Sequence, residues 1–184
     1  MTVTSPSLRT GTWSIDPAHS EVGFTVRHLG LSKVRGRFND FSGTASIGET
    51  LAGASVEAAI ELASIDTNND QRDEHLRSAD FLDVENAPRM TFRSTSVELD
   101  DDTSGTIHGE LTIGDVTVAV ELETELHGVA VDAYGTTRAG FTASTRISRD
   151  DFGIDFQVPL DAGGVLIGDK VTIELEIQLV PEAA

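Results

Sequence analysis

The chain contains no cysteine, which excludes disulfides, thiolate metal sites and cysteine nucleophiles and leaves apolar burial as the source of stability. Basic residues are scarce, with 13 Lys and Arg against 31 Asp and Glu and a formal charge of -18. A field of that sign repels phosphate backbones and anionic bilayer surfaces, so no nucleic-acid partner is expected. No apolar run approaches the ~20 residues of a membrane span, and the opening MTVTSPSLRT has neither a basic nor an apolar signal region. No integral membrane segment and a cytoplasmic location are therefore the expectations. There is one Trp and one Tyr, so aromatic character rests on eight Phe.

What is present is alternation. A length of 184 residues suits one domain. The first ten residues are Ser/Thr-rich and aperiodic, which predicts a mobile tail over 1–10 and a single β-barrel domain over 11–184. Val22, Phe24 and Val26 alternate with polar partners, as do Val34 and Phe38 against Lys33, Arg35 and Arg37. Period-two alternation marks a half-buried strand. The segments 106–113 and 116–126 flank Gly114-Asp115, a two-residue hairpin loop. Pairing Ile113 with Val116 puts Leu111 opposite Val118, Gly109 opposite Val120 and Ile107 opposite Leu122, all on one face, while His108 meets Glu121 on the other. A slip of one residue would turn that set outward. Gly128 shifts the apolar parity to Val129 and Val131, which predicts a β-bulge. Later strands are predicted around Phe141–Ile147 and Val171–Leu179. The whole reads as an all-β, roughly eight-stranded antiparallel barrel, and periodicity leaves open whether it is packed solid or hollow.

Between Thr67 and Phe92 a polar helix and a Pro88-terminated loop interrupt the strands. A closed sheet needs no helix to complete its hydrogen bonds, so this one is expected to cap an opening near one end. Asn68 with Gln71 reads as a variant capping box, and Asp73 with Arg77 as an i,i+4 pair. Arg72 and His75 are three residues apart, so both could serve as donors to a polar head group at a barrel mouth or be simply solvated. His28 shares parity with Phe24 and Val26 and should face inward. Phe24, Phe38, Phe92 and Phe141 fit either ordinary core or the wall of a hydrocarbon site.

Several motifs dissolve on inspection. Asp151-Phe152-Gly153 lacks the rest of a kinase signature. Gly163–Lys170 places Asp169 where a phosphate loop needs Lys. The acids at 100–102 read as a hairpin turn rather than a calcium loop. The five histidines are scattered, and neither a metal site nor a catalytic set stands out.

The span from about Trp13 to Val180 resembles the YceI-like, polyisoprenoid-binding, lipocalin-like family. The likeness rests on Ile15-Asp16-Pro17-Ala18-His19-Ser20 leading into Val22-Gly23-Phe24, on Val34-Arg35-Gly36-Arg37-Phe38, and on Gln71-Arg72-Asp73 with His75 through Phe81. Leu111-Thr112-Ile113 and Asp151-Phe152-Gly153 add to it. The resemblance implies an extended barrel around a channel for an isoprenoid or fatty chain, often in a homodimer, with no enzymatic activity and no required cofactor. It further implies a channel lined by Phe24, Phe38, Phe81, Phe92 and Phe141, with Val26 and His28 on the same inward face, and Arg72, His75 and Arg77 at its helix-bordered mouth. The chain departs from the pattern after Asp115-Val116-Thr117, where Val118-Ala119 replaces a basic residue and proline. Many relatives are exported, whereas no signal is read here. The expected partner is a long-chain isoprenoid lipid, a polyprenyl quinone or polyprenyl phosphate. The rival readings are a lipid-modifying enzyme using His75 with Asp80 or Glu74, and a packed barrel that binds other proteins.

Overall fold

A computed structural model describes residues 7–183, so most of the expected tail lies outside the described residues. Of the rest of that tail, Arg9 is tied down: its guanidinium donates to Thr137 Oγ1 and its carbonyl accepts the Trp13 indole N–H. The strands run β1 (Gly11–Ile15), β2 (Glu21–His28), β3 (Ser32–Phe38), β4 (Phe41–Ile47), β5 (Ser55–Glu61) and the short β6 (Ile65–Asp66). After helix α1 (Asp70–Arg77) come β7 (Arg89–Leu99), β8 (Ser104–Ile113), β9 (Val116–Val131), β10 (Thr137–Ser148) and β11 (Ile167–Pro181).

The neighbour order β1-β4-β5-β7-β8-β9-β10-β11 closes on itself, because β1 also pairs with β11 through Trp13 opposite Pro181 and Ile15 opposite Leu179. This is an all-β, eight-stranded antiparallel barrel with one short helix. β11 carries β1 at its C-terminal end and β2 along the remainder, from which β3 and β6 continue.

The β8–β9 hairpin has the register that its alternation dictates, from Ile113 opposite Val116 to Ser104 opposite Glu125. The bulge at Gly128 is also present. Gly140 stands opposite Gly128 but Phe141 opposite Leu126, which leaves His127 unpaired in the ladder. A second bulge lies at Thr95, where no glycine marks it. Ser94 pairs with Gly109 and Ser96 with His108, so the apolar parity on β7 moves from Met90 and Phe92 to Val97 and Leu99.

Two expectations about the helix are corrected. The N-cap is Asn69, whose Oδ1 accepts the Arg72 N–H at 2.9 Å, because Asn68 takes a left-handed conformation (φ 60) that turns the chain into the helix. Asp73 does not pair with Arg77. Its carboxylate is buried and accepts from the Thr67 N–H at 2.9 Å and the Thr67 hydroxyl at 2.5 Å. Arg77 instead donates to the carbonyls of Ala63 (2.8 Å) and Ile65 (3.1 Å), riveting α1 to β6.

The closing seam carries an ionic latch. Arg138 on β10 donates to Asp132 at 2.8 Å and to Asp16 at 2.5 Å, joining the β9–β10 turn to the chain between β1 and β2. The Arg138 guanidinium holds both carboxyls below the usual range, aided at Asp132 by the backbone N–H of Thr136. A depressed folded-state pKa stabilises above the unfolded value and loses that effect as pH falls through the folded one. Arg138→Ala should therefore lower the urea midpoint near pH ~6, and the gap from the parent should close once the medium is well below the ordinary carboxylate value of about 4. A gap that persists unchanged in acid would show that the latch acts by packing alone.

Candidate functional site

Inward residues from all eight barrel strands enclose an elongated cavity of about 200 Å³. Its lining is almost wholly hydrocarbon, and among the described residues no lining side chain carries a charge. On β7 the wall runs from Met90 to Leu99. Nine steps at about 3.3 Å per residue make ~30 Å along the strand, or ~23 Å along the axis of a barrel tilted ~40°. The space exists because small residues occupy inward positions on three strands: Ala45 on β4, Ala58 on β5 and Ala143 on β10. The volume lies below the ~300–1,000 Å³ of a drug-sized pocket, so a guest must move side chains aside. Met90, unbranched and with several rotatable bonds, is the wall residue best able to yield.

The two ends differ. Towards α1 the interior is packed: Phe38, Leu62, Ile65, Ile113 and Phe152 are all buried in one cluster. Towards the β7–β8 turn the cavity meets Leu51, Leu99 and the hydroxyl-bearing Thr103, Ser104 and Thr124, and Leu99 is exposed. Asp101 braces this rim. It accepts the N–H groups of Thr103 and Ser104, both at 2.7 Å, and those bonds pull its carboxyl down to about 2. With Asp100 and Asp102 beside it, the rim is anionic at neutral pH.

The residues singled out from sequence divide between these regions. Phe92 and Phe141 line the cavity. Phe24 and Phe38 sit beyond its lining, ring centroids 5.6 Å apart, and Val26 and His28 lie further along β2 towards the hairpin turn. Phe81 is not in the lining and packs edge-on to His75 and at a tilt against Phe156, each with centroids 5.0 Å away. Arg72 gives its Nε to Thr67 Oγ1 and its terminal nitrogen to the Thr67 carbonyl, each at 2.7 Å. His75 Nε2 is 2.8 Å from Asp80 Oδ2, on the helix surface. Arg72, His75 and Arg77 thus stand at the packed end, each with a polar contact inside the chain, so the helix covers that end rather than the hydroxyl-bearing rim. The reason is local: an eight-residue helix tethered by a two-residue strand needs its own side chains to hold it down.

Arg149 was missed. It is buried, and its guanidinium donates to the carbonyls of Ile154 (2.9 Å), Phe156 (3.0 Å) and Gly168 (3.0 Å), tying the loop after β10 to β11. The only sequence signal was a basic residue adjoining Asp150-Asp151-Phe152. Among the described residues no cluster of His, Asp or Glu is placed to hold a metal, and no helix is long and apolar enough to cross a membrane.

A closed antiparallel barrel with a hollow, uncharged interior and one lateral helix is a lipocalin-like architecture. The chain belongs to the YceI-like family, whose domain profile matches residues 13–179. Protein YceI of Escherichia coli O6:H1 is 45% identical over 137 residues, covering 74% of this chain and 71% of that one. The crystal structure of the Campylobacter jejuni YCEI protein aligns with a TM-score of 0.73 at 29% identity, covering 98% of this chain and all of the other. A polyisoprenoid binding domain from Saccharophagus degradans aligns with a TM-score of 0.72 over 92% of this chain and 98% of its own; at 16% identity it shares the fold.

Proposed function

We propose that the barrel is a non-enzymatic carrier or store for a lipid with a long isoprenoid tail, held in the tunnel. The observation that carries this reading is the uncharged hydrocarbon wall extending from Met90 to Leu99. The polyisoprenoid binding domain from Saccharophagus degradans, which shares the fold, supports it. Burying each CH2 contributes about 0.8 kcal/mol, so a tail of ten or more carbons offsets the several kcal/mol lost in immobilising it. The head group is best matched by a neutral quinone. Its carbonyls can accept from the hydroxyls of Ser104 and its neighbours, whereas a diphosphate would face the rim acids Asp100, Asp101 and Asp102 with no lining cation to pair with.

The test is organic-solvent extraction of the purified chain followed by mass spectrometry. A stoichiometric prenylated lipid with an uncharged head is expected. Extracts that stay empty after expression in a quinone-producing host would sink the carrier reading, and a prenyl diphosphate would overturn the head-group assignment.

A further inference from the structure

Building on the tail-binding reading, we infer that the Phe24 and Phe38 rings form a fixed floor to the tunnel, and that Phe24 sets the longest tail the barrel buries. Val22 and Phe24 occupy successive inward positions on β2, yet Val22 lines the cavity and Phe24 does not. On β11 the lining reaches Ile173, the cross-strand partner of Phe24, so the open space ends at the Phe24 ring. Val22 stands opposite Phe38 on β3, and Phe24 opposite Gly36. That glycine is what allows the floor to lie across the barrel. A Cβ at position 36 would come within 2.3 Å of the Phe24 ring and 2.9 Å of Thr67 Cγ2, so the ring occupies the place where any other side chain would stand.

The ring is braced on one side. Phe38 meets it at 5.6 Å with the planes inclined by 42°, and behind Phe38 lie the buried Ile65 and Leu62. The partition is also thin. Phe24 is only half-buried, and past it the inward face of β2 continues to Val26 and the half-buried His28. Trimming Phe24 would join the tunnel to that second stretch, whereas adding bulk at Val22 would raise the floor. An extended chain advances 3.3–3.6 Å per three skeletal bonds, so an isoprene unit of four bonds spans roughly 4.7 Å. A tunnel of ~23 Å then buries about five units, and further units remain in water at the rim.

The experiment uses the full chain, delipidated and equilibrated with an equimolar set of benzoquinones carrying two to ten isoprene units, with the retained species quantified after gel filtration. For the parent, retention should rise with tail length and level off near five units. Phe24→Leu should move the plateau up by at least one unit, and Val22→Phe should move it down by one or two. Each variant is checked for a parent-like far-UV spectrum, and if one fails to fold the other carries the test. A plateau that stays in place in a folded variant while the parent loads normally overturns the floor. A parent that retains no quinone of any length sinks the tail-binding reading itself, and the floor with it.

Discussion

Replacing Ala143 by Phe is expected to leave a folded barrel that retains less than about a tenth of the parent's extractable lipid. Ala143 is a tunnel-lining residue on β10, opposite Leu175 and Thr124, so its side chain faces the open cavity. A benzyl group there enters space that is otherwise open. The usual ~1–3 kcal/mol cost of overpacking a filled core is thereby largely avoided. The tail has no such escape. A tenfold loss of affinity needs 1.4 kcal/mol, which is the burial of about two CH2 groups, and a ring across the tunnel denies the tail far more than that. Lipid extracted per mole of protein, read beside the thermal midpoint, separates the two effects. A parent-like lipid load together with a parent-like midpoint would place the guest somewhere other than the tunnel.

The largest loss of stability is expected from Trp13→Ala. Trp13 is 1% exposed, packs against Ala45, Ala139 and Leu179, and donates its indole N–H to the Arg9 carbonyl at 2.9 Å. Removing a buried Trp costs about 3–5 kcal/mol, which for a chain of this length corresponds to a fall of roughly 6–20 °C in Tm. The position compounds the cost, because β1 is the strand that joins β4 to β11 and Trp13 is its central residue. Trp13→Phe should recover most of the loss in calorimetry, since it restores the apolar volume without the hydrogen bond. Equal losses in both variants would show that the indole N–H, rather than packing, holds the strand.

Much of the architecture was legible before any coordinates, because alternation fixes which residues face inward. The β8–β9 register and the parity break at Gly128 follow from local pairs a few residues apart. Closure was not legible in the same way. Trp13 meets Pro181 across almost the whole chain, and no short-range pattern encodes that pairing. For the candidate site, one quantity is not carried by alternation. Alternation gives the face of a residue but not its height along the barrel, and height decides whether Phe24 and Phe92, both inward, become floor and wall. The helix donors illustrate a second gap. Arg72 and Arg77 have the chemistry to meet a ligand, but the backbone carbonyls of Thr67, Ala63 and Ile65 were invisible as competing acceptors.

The β1 seam has a consequence for solubility. Among the described residues the β1 seam keeps both β4 and β11 paired, and the open edge falls to the branch, where the short β6 covers only Arg37 and Phe38 of β3. If proteolysis clipped the five residues of β1, the borders of β4 and β11 would lie open beside an oily interior. Such nicked molecules should aggregate into β-rich deposits, so the fate of this barrel during purification depends on keeping its first strand intact.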